Sequence, residues 1–185
     1  MATLSVFNFI TLNGYFAAPD GDTSWHRHGE EEAQYSKDSL ASNNILIFGR
    51  VTYEHMVAFW PTDQAKQIMP DVAAGMNQAE KIVFSRTLES SDWENTRVVS
   101  GGMEAEIKRL KTGSKDMTIL GSGSIVTQLS DAGLVDTYEI MIDPVALGDG
   151  KQMLRGIKRT LNLELVSTRT FKSGVVLLRY RLAKH

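Results

Sequence analysis

The chain has no cysteine at all. That excludes disulfides, thiolate nucleophiles and cysteine-ligated metal, and it agrees with a reducing compartment. It has almost no net charge either: 20 Lys and Arg against 22 Asp and Glu leave −2. No block of one sign stands out, so there is no electrostatic footprint for nucleic acid or for an anionic membrane. No apolar run approaches the roughly 18 residues of a membrane-spanning helix. The first ten residues place no Lys or Arg ahead of apolar ones and do not read as a signal peptide. Low-complexity stretches, internal repeats and interdomain linkers are also missing. These absences predict a single soluble, cytoplasmic domain over residues 1–185, because domains mostly run about 100–200 residues.

What is present alternates strand and helix. Residues 2–10 are rich in β-branched and aromatic types and read as a strand, and Asn13-Gly14 marks a turn. Glu30 to Leu40 reads as a weakly amphipathic helix. Ile45 to Phe48 is wholly apolar, as a strand buried on both faces would be. Gly49-Arg50-Val51-Thr52 opens a second helix, ended by Trp60-Pro61 because the residue before proline is pushed out of the helical region. Residues 62–79 read as an irregular connection with some helix. Strands follow at 81–84, 96–99, 117–120 and 134–142. A helix carries Met103, Ile107 and Leu110 on one face, with Gly113 at its C-terminal cap, and another follows Gly121 to Ser124. Residues 161–171 and 175–182 flank Lys172-Ser173-Gly174 as a hairpin. The pattern predicts an α/β fold with a mixed, mostly parallel sheet covered on both faces and an antiparallel C-terminal hairpin.

In open α/β sheets, ligands bind beyond the carboxyl ends of the strands. Gly49-Arg50-Val51-Thr52, Ser85-Arg86-Thr87 and Gly121-Ser122-Gly123-Ser124 all follow buried strands, so parallel strands would bring them to one rim. Two of them open helices, whose free N–H groups and dipole favour an anion. Each segment also has a plainer reading. The Gly121 to Ser124 stretch could be a tight turn with Ser122 or Ser124 as helix cap. Arg50 and Thr52 could be a surface arginine and a cap, and Ser85-Arg86 a solvated strand end. It is not a Rossmann fingerprint, since Val126 stands where the third glycine belongs. Glu30, Glu31 and Glu32 either favour the helix dipole or offer a catalytic carboxylate. Trp25, Phe59 and Trp60 either line a flat pocket or belong to the core. His26 and His28 lack the third ligand a catalytic metal needs, with His55 and His185 the only other histidines, so no metal is expected. No Gly-x-Ser-x-Gly elbow supports serine hydrolysis.

Taken in order, these segments resemble the dihydrofolate-reductase-like superfamily. In particular they resemble the reductase domain of the riboflavin-biosynthesis deaminase–reductase and its stand-alone bacterial relatives. Thr11 to Ala17 resembles the family's SLDGYIA, Ile47 to Glu54 its LGRxTYE, and Phe59-Trp60-Pro61 its FWP. Lys81 to Arg86 is similar to KxVxSR, Ile119 to Ser124 to xxGGxxL, and Leu134 to Asp136 with Asp143 to Gly150 to LVDE…PVxLGxG. The resemblance implies a three-layer dihydrofolate-reductase-like sandwich that binds NADPH and reduces a small heterocycle, pterin-like or 5-amino-6-(5-phosphoribosylamino)uracil-like. By resemblance, Gly49, Arg50 and Thr52 hold cofactor phosphates, Ser85 and Arg86 meet the 2′-phosphate, and Gly121, Ser122, Gly123 and Ser124 cradle the pyrophosphate. Asn13, Trp25 and Trp60 would meet substrate, Glu31 or Glu32 would be the catalytic carboxylate, and residues 13–22 would form a mobile flap. Two departures are visible: a Gly-Ser pair where the family has two glycines, and first-helix spacing that does not align the carboxylate cleanly.

Two other functions compete with the reductase. One is a non-catalytic nucleotide-binding module that keeps the fold. The other is a structural or oligomerisation domain. Homodimers are common in the family that the chain resembles, and the resemblance implies one here.

Overall fold

The computed structural model describes residues 1–183, so His185 lies outside the described residues. The strands are β1 (Leu4–Thr11), β2 (Tyr15–Ala17), β3 (Ile45–Gly49), β4 (Lys81–Phe84), β5 (Thr96–Val99), β6 (Met117–Leu120), β7 (Thr137–Asp143), β8 (Lys151–Gln152), β9 (Leu163–Thr170) and β10 (Val176–Leu182). The helices are α1 (Glu30–Ala41), α2 (Arg50–Phe59), α3 (Asp63–Ile68), α4 (Pro70–Gln78), α5 (Met103–Lys111) and α6 (Gly123–Asp131).

The strands that are apolar on both sides, β3, β4 and β6, lie inside one eight-stranded sheet of order β5-β4-β3-β6-β1-β7-β10-β9. Every pairing from β5 to β7 is parallel, and β7–β10 and β10–β9 are antiparallel. Side chains alternate across the pleat. Leu4 and Val6 of β1 therefore join the layer of Ile107 from α5 and of Val126 and Leu129 from α6. On the opposite face, Phe48 packs with Tyr53 of α2 and with Val72 and Met76 of α4, while Phe7 and Phe9 pack near Tyr35 of α1 and Phe171. The result is the mixed α/β sheet that the sequence pattern implied, in the three-layer, dihydrofolate-reductase-like sandwich that the resemblance implied. No helix among the described residues is long and apolar enough to cross a membrane.

Three local readings are corrected. Residues 62–79 are two helices, because Thr62 caps α3 by accepting from Ala65 N at 3.2 Å and Pro70 opens α4, where a missing N–H costs nothing. Trp60 keeps helical angles (φ −62°, ψ −33°) although Pro61 follows it, and its N–H still reaches Met56 O at 2.9 Å. The helix stops there because Pro61 has no N–H to continue the ladder. β7 begins at Thr137, with Leu134 and Val135 buried ahead of it. A small β2–β8 sheet also joins Ala17 to Lys151, which residue periodicity in runs of two or three could not show.

Candidate functional site

The carboxyl ends of β3, β4, β5 and β6 open on one cavity of about 1460 Å³. Gly49, Arg50, Thr52, Ser85, Arg86 and Gly121 to Ser124 all line it. The segments singled out on separate parts of the chain therefore share a ledge.

Two turns of that ledge are stapled together. Gly121 and Ser122 both take left-handed backbone angles, at φ 59° and 58°. Glycine does this freely and serine does not. The serine is held there by its bonds: Ser122 Oγ accepts from Gly49 N at 2.7 Å and donates to Thr52 Oγ1 at 2.9 Å. Ser122 N also donates to Thr52 Oγ1 at 3.1 Å. The serine in place of the family's second glycine thus links the starts of α2 and α6. It makes no side-chain cap on α6. A Cβ on Gly121 would stand 3.3 Å from Thr52, and one on Gly123 would stand 2.7 Å from the Phe16 ring. With glycine at 123 the Phe16 ring rests directly on the start of α6, and a larger residue there would push it aside.

The basic groups of the ledge differ. Arg50 donates to both oxygens of Glu54, one turn along α2, at 2.7 and 2.9 Å. Arg86 is exposed and makes no ion pair among the described residues. Ser85 Oγ accepts from Thr87 N and Leu88 N at 3.1 and 2.9 Å, which shapes the turn that presents Arg86.

A fourth segment was missed in the sequence. Ser100, Gly101 and Gly102 line the cavity at the start of α5, with Gly102 at φ 65°. A Cβ at either glycine would meet nothing within 4 Å. The Gly-Gly pair directly before a helical pattern was the available signal. The starts of α2, α5 and α6 therefore all face the same space.

The far side of the cavity is built from β1, α1 and the loop between β2 and α1. His26 is buried, stacked on Phe9 with centroids 4.0 Å apart, and its Nδ1 lies 2.6 Å from Asp143 Oδ2. Arg27 N donates to Asp143 Oδ1 at 2.8 Å, so the pair pins this loop to the end of β7. His28 packs edge-on against His26, and desolvation, then the His26 charge, holds its pKa below the usual value of 6.5. No cluster of three potential metal ligands exists among the described residues. Tyr35 OH donates to Glu139, and burial, then that bond, raises its pKa.

The two candidate carboxylates of α1 behave as latches. Glu32 is buried and lines the cavity, but it accepts from Gly29 N at 3.1 Å and from Ser173 Oγ. Glu31 lies off the lining and accepts from Lys172 N at 2.8 Å. Both hold the β9–β10 turn against α1. Trp60 lines the cavity, whereas Asn13 and Trp25 do not. Asn13 bonds the backbone of Leu147 in both directions, at 2.7 and 3.2 Å, and so ties two loops together. Trp25 packs edge-on against Phe9.

The profile described as the RibD C-terminal domain matches residues 2–177. The chain belongs to the RibD C-terminal domain family. It is similar to the uncharacterized protein YyaP of Bacillus subtilis (strain 168), 29% identical over 171 residues that cover 92% of this chain and 90% of that one. Among solved structures it is similar to a Shewanella sp. PV-4 protein named for riboflavin biosynthesis, at TM-score 0.77 and 16% identity with full coverage of both chains. It is also similar to dihydrofolate reductase from Enterococcus faecalis complexed with NADP(H), at TM-score 0.69 and 15% identity, covering 98% of this chain and 97% of that one. These structural likenesses concern the fold. In this RibD C-terminal domain the ledge of glycine turns and helix starts is the feature that chemistry must explain.

Proposed function

We propose that this chain is an NADPH-dependent reductase of a small, flat heterocyclic acceptor. The observation that carries the proposal is the ledge itself: three helix starts and Arg86, which makes no ion pair among the described residues, face one cavity. Free N–H groups at helix starts and an arginine fork suit phosphates.

The residues present fit that cofactor. The open space at Gly101 and Gly102 is room a Cβ would otherwise fill. Asn8 is buried on the cavity lining with Nδ2 unpartnered, while its Oδ1 accepts from Phe9 N at 3.0 Å. As placed, that donor is closed off from the cavity, so a bound ring would meet it only after the side chain turns outward. Arg86 would hold the 2′-phosphate and so favour NADPH over NADH. The backbone from Gly121 to Ser124 and the start of α2 would hold the pyrophosphate. When bound, NADPH supplies a hydride to an electrophilic C=N or C=O carbon and leaves as NADP+, and a proton from solvent or an acid completes the reduction. Phe16 and the flap would exclude water from that step.

The engaged state of Glu31 and Glu32 favours one second reading, a nucleotide-binding module without catalysis. Titration of purified protein with NADPH and NADH tests the first reading. NADPH is expected to bind at least tenfold more tightly, and equal or absent binding of both contradicts it. NADPH binding without oxidation across pterins, pyrimidines and quinones would favour the second.

A further inference from the structure

The end of the cavity away from the ledge is a lobe between α1, the second half of α2, and α3 with α4. Its wall includes Leu40, Met56, Trp60, Met69, Val72 and Met76, which also pack in the cluster around Phe48. Among the cavity-lining residues from Ala33 to Leu46 and from Met56 to Met76, none is Lys, Arg or His. Even the polar end of Trp60 is turned inward, since its Nε1 donates to Met56 Sδ at 3.1 Å.

The lobe also lacks the other means of holding an anion. The first turns of its helices carry acids: Glu30, Glu31 and Glu32 on α1, Asp63 on α3 and Asp71 on α4. Those carboxylates already occupy the positive ends of the helix dipoles. Pro70, the first residue of α4, has no N–H to offer. The nearby lysines are engaged on the outside, Lys37 with Asp71 at 2.7 Å and Lys66 with Asp63 at 3.3 Å. The one buried charge-bearing side chain of α1 on the lining is Glu32. Along the lining contributed by α1, α3 and α4 a phosphate would meet Glu32 and no cationic side chain. Flexible methionines and an aromatic wall suit an apolar ring system of adaptable shape.

His26 and His28, just ahead of α1, and His55, in the second half of α2, also line the cavity, as does Lys151. Lys151 and His55 lie against Gly21, 3.5 and 3.6 Å from where its Cβ would stand. They provide the alternative anion site that a test must include.

We infer that the acceptor is an uncharged, largely apolar compound seated in this lobe, and not a phosphorylated riboside. The inference rests on the reading that the ledge is the cofactor's place, which leaves the lobe for the acceptor.

Calorimetric titration of the protein saturated with NADP+ tests it, with 2-methyl-1,4-naphthoquinone as the neutral probe and uridine 5′-monophosphate as the phosphorylated one. The naphthoquinone is expected to bind at least tenfold more tightly than the nucleotide. Met56→Glu should weaken it at least tenfold while NADP+ affinity stays within twofold. If Met56→Glu does not fold, Ile68→Glu at the exposed rim should weaken it about threefold. Preference for uridine 5′-monophosphate, removed by Lys151→Ala, would overturn the inference. So would naphthoquinone affinity that neither lobe variant changes, or no binding of either probe. If NADP+ fails to bind but the naphthoquinone binds and is lost in Met56→Glu, the lobe assignment stands and the cofactor reading falls.

Discussion

Strand β4 is four residues long, and a cation stands at each end of it, treated in opposite ways. At the amino end Lys81 is fully buried. Its Nζ donates to the carbonyls of Met76, Asn77 and Ala79 at 2.9, 3.0 and 2.6 Å and lies 4.6 Å above the Trp93 ring. Desolvation pulls its pKa down to about 8, and the Glu94 charge opposes that shift. Just past the carboxyl end, Arg86 is exposed and unpaired among the described residues. The rest of the sheet repeats the contrast in part, since at carboxyl ends Asp143 is paired with His26 and Arg50 with Glu54. At the amino ends, Asp116 accepts from Thr3 N at 2.6 Å, and Asp136 accepts from Leu4 N at 2.7 Å and from Lys111 at 2.5 Å. At the carboxyl ends, helix starts and glycines face open space. Polar groups that the chain satisfies itself make the fold, and those it leaves unmet are the ones a ligand can use.

The contrast breaks most visibly at Lys81. Lys81→Met keeps the stem and orphans three buried carbonyls. It should cost about 3 kcal/mol of unfolding free energy by urea titration, as loss of a buried charged donor does. No loss would mean that Lys81 is not structural. Next is Gly123→Ala, whose Cβ would stand 2.7 Å from Phe16. It should cost about 2 kcal/mol by overpacking. Adding Phe16→Ala should return part of that loss, and a purely additive double mutant would show that the two do not touch. Ser122 gives a smaller and sharper contrast. Ser122→Ala keeps the left-handed backbone and loses the Gly49 and Thr52 bonds, for about 1.5 kcal/mol. Ser122→Gly loses the same bonds but relieves the backbone, and should cost about 0.5 kcal/mol.

The smallest effect is a pH slope. The folded pKa of His28 lies below its unfolded value near 6.5. As pH falls through 6.5 the unfolded chain takes up a proton there that the folded chain resists, so stability falls. His28→Gln should show a shallower loss between pH 7 and 5. An unchanged slope would contradict the assignment.

Much of this was legible in sequence, because hydrophobic runs and glycine turns are local signals. Ile45 to Phe48 and Met117 to Leu120 announced central strands, and their following turns announced the ledge. The split of 62–79 into two helices was also written there, in Thr62 and Pro70. Other features depend on partners far along the chain and carry no local mark. The Glu31 and Glu32 latches to a turn about 141 residues away are one case, and the Asn13 tie to Leu147 is another. A carboxylate on a helix start looks the same in sequence whether it waits for substrate or holds a hairpin.

The central claim is that the unmet groups at the carboxyl ends grip a dinucleotide phosphate. The direct measurement is the ratio of NADPH to NADH affinity in the wild type and in Arg86→Ala. The wild type should prefer NADPH. In the variant NADPH binding should fall about 30-fold, roughly 2 kcal/mol, with NADH binding unchanged and stability within about 0.5 kcal/mol. An identical ratio in the two proteins would contradict the account.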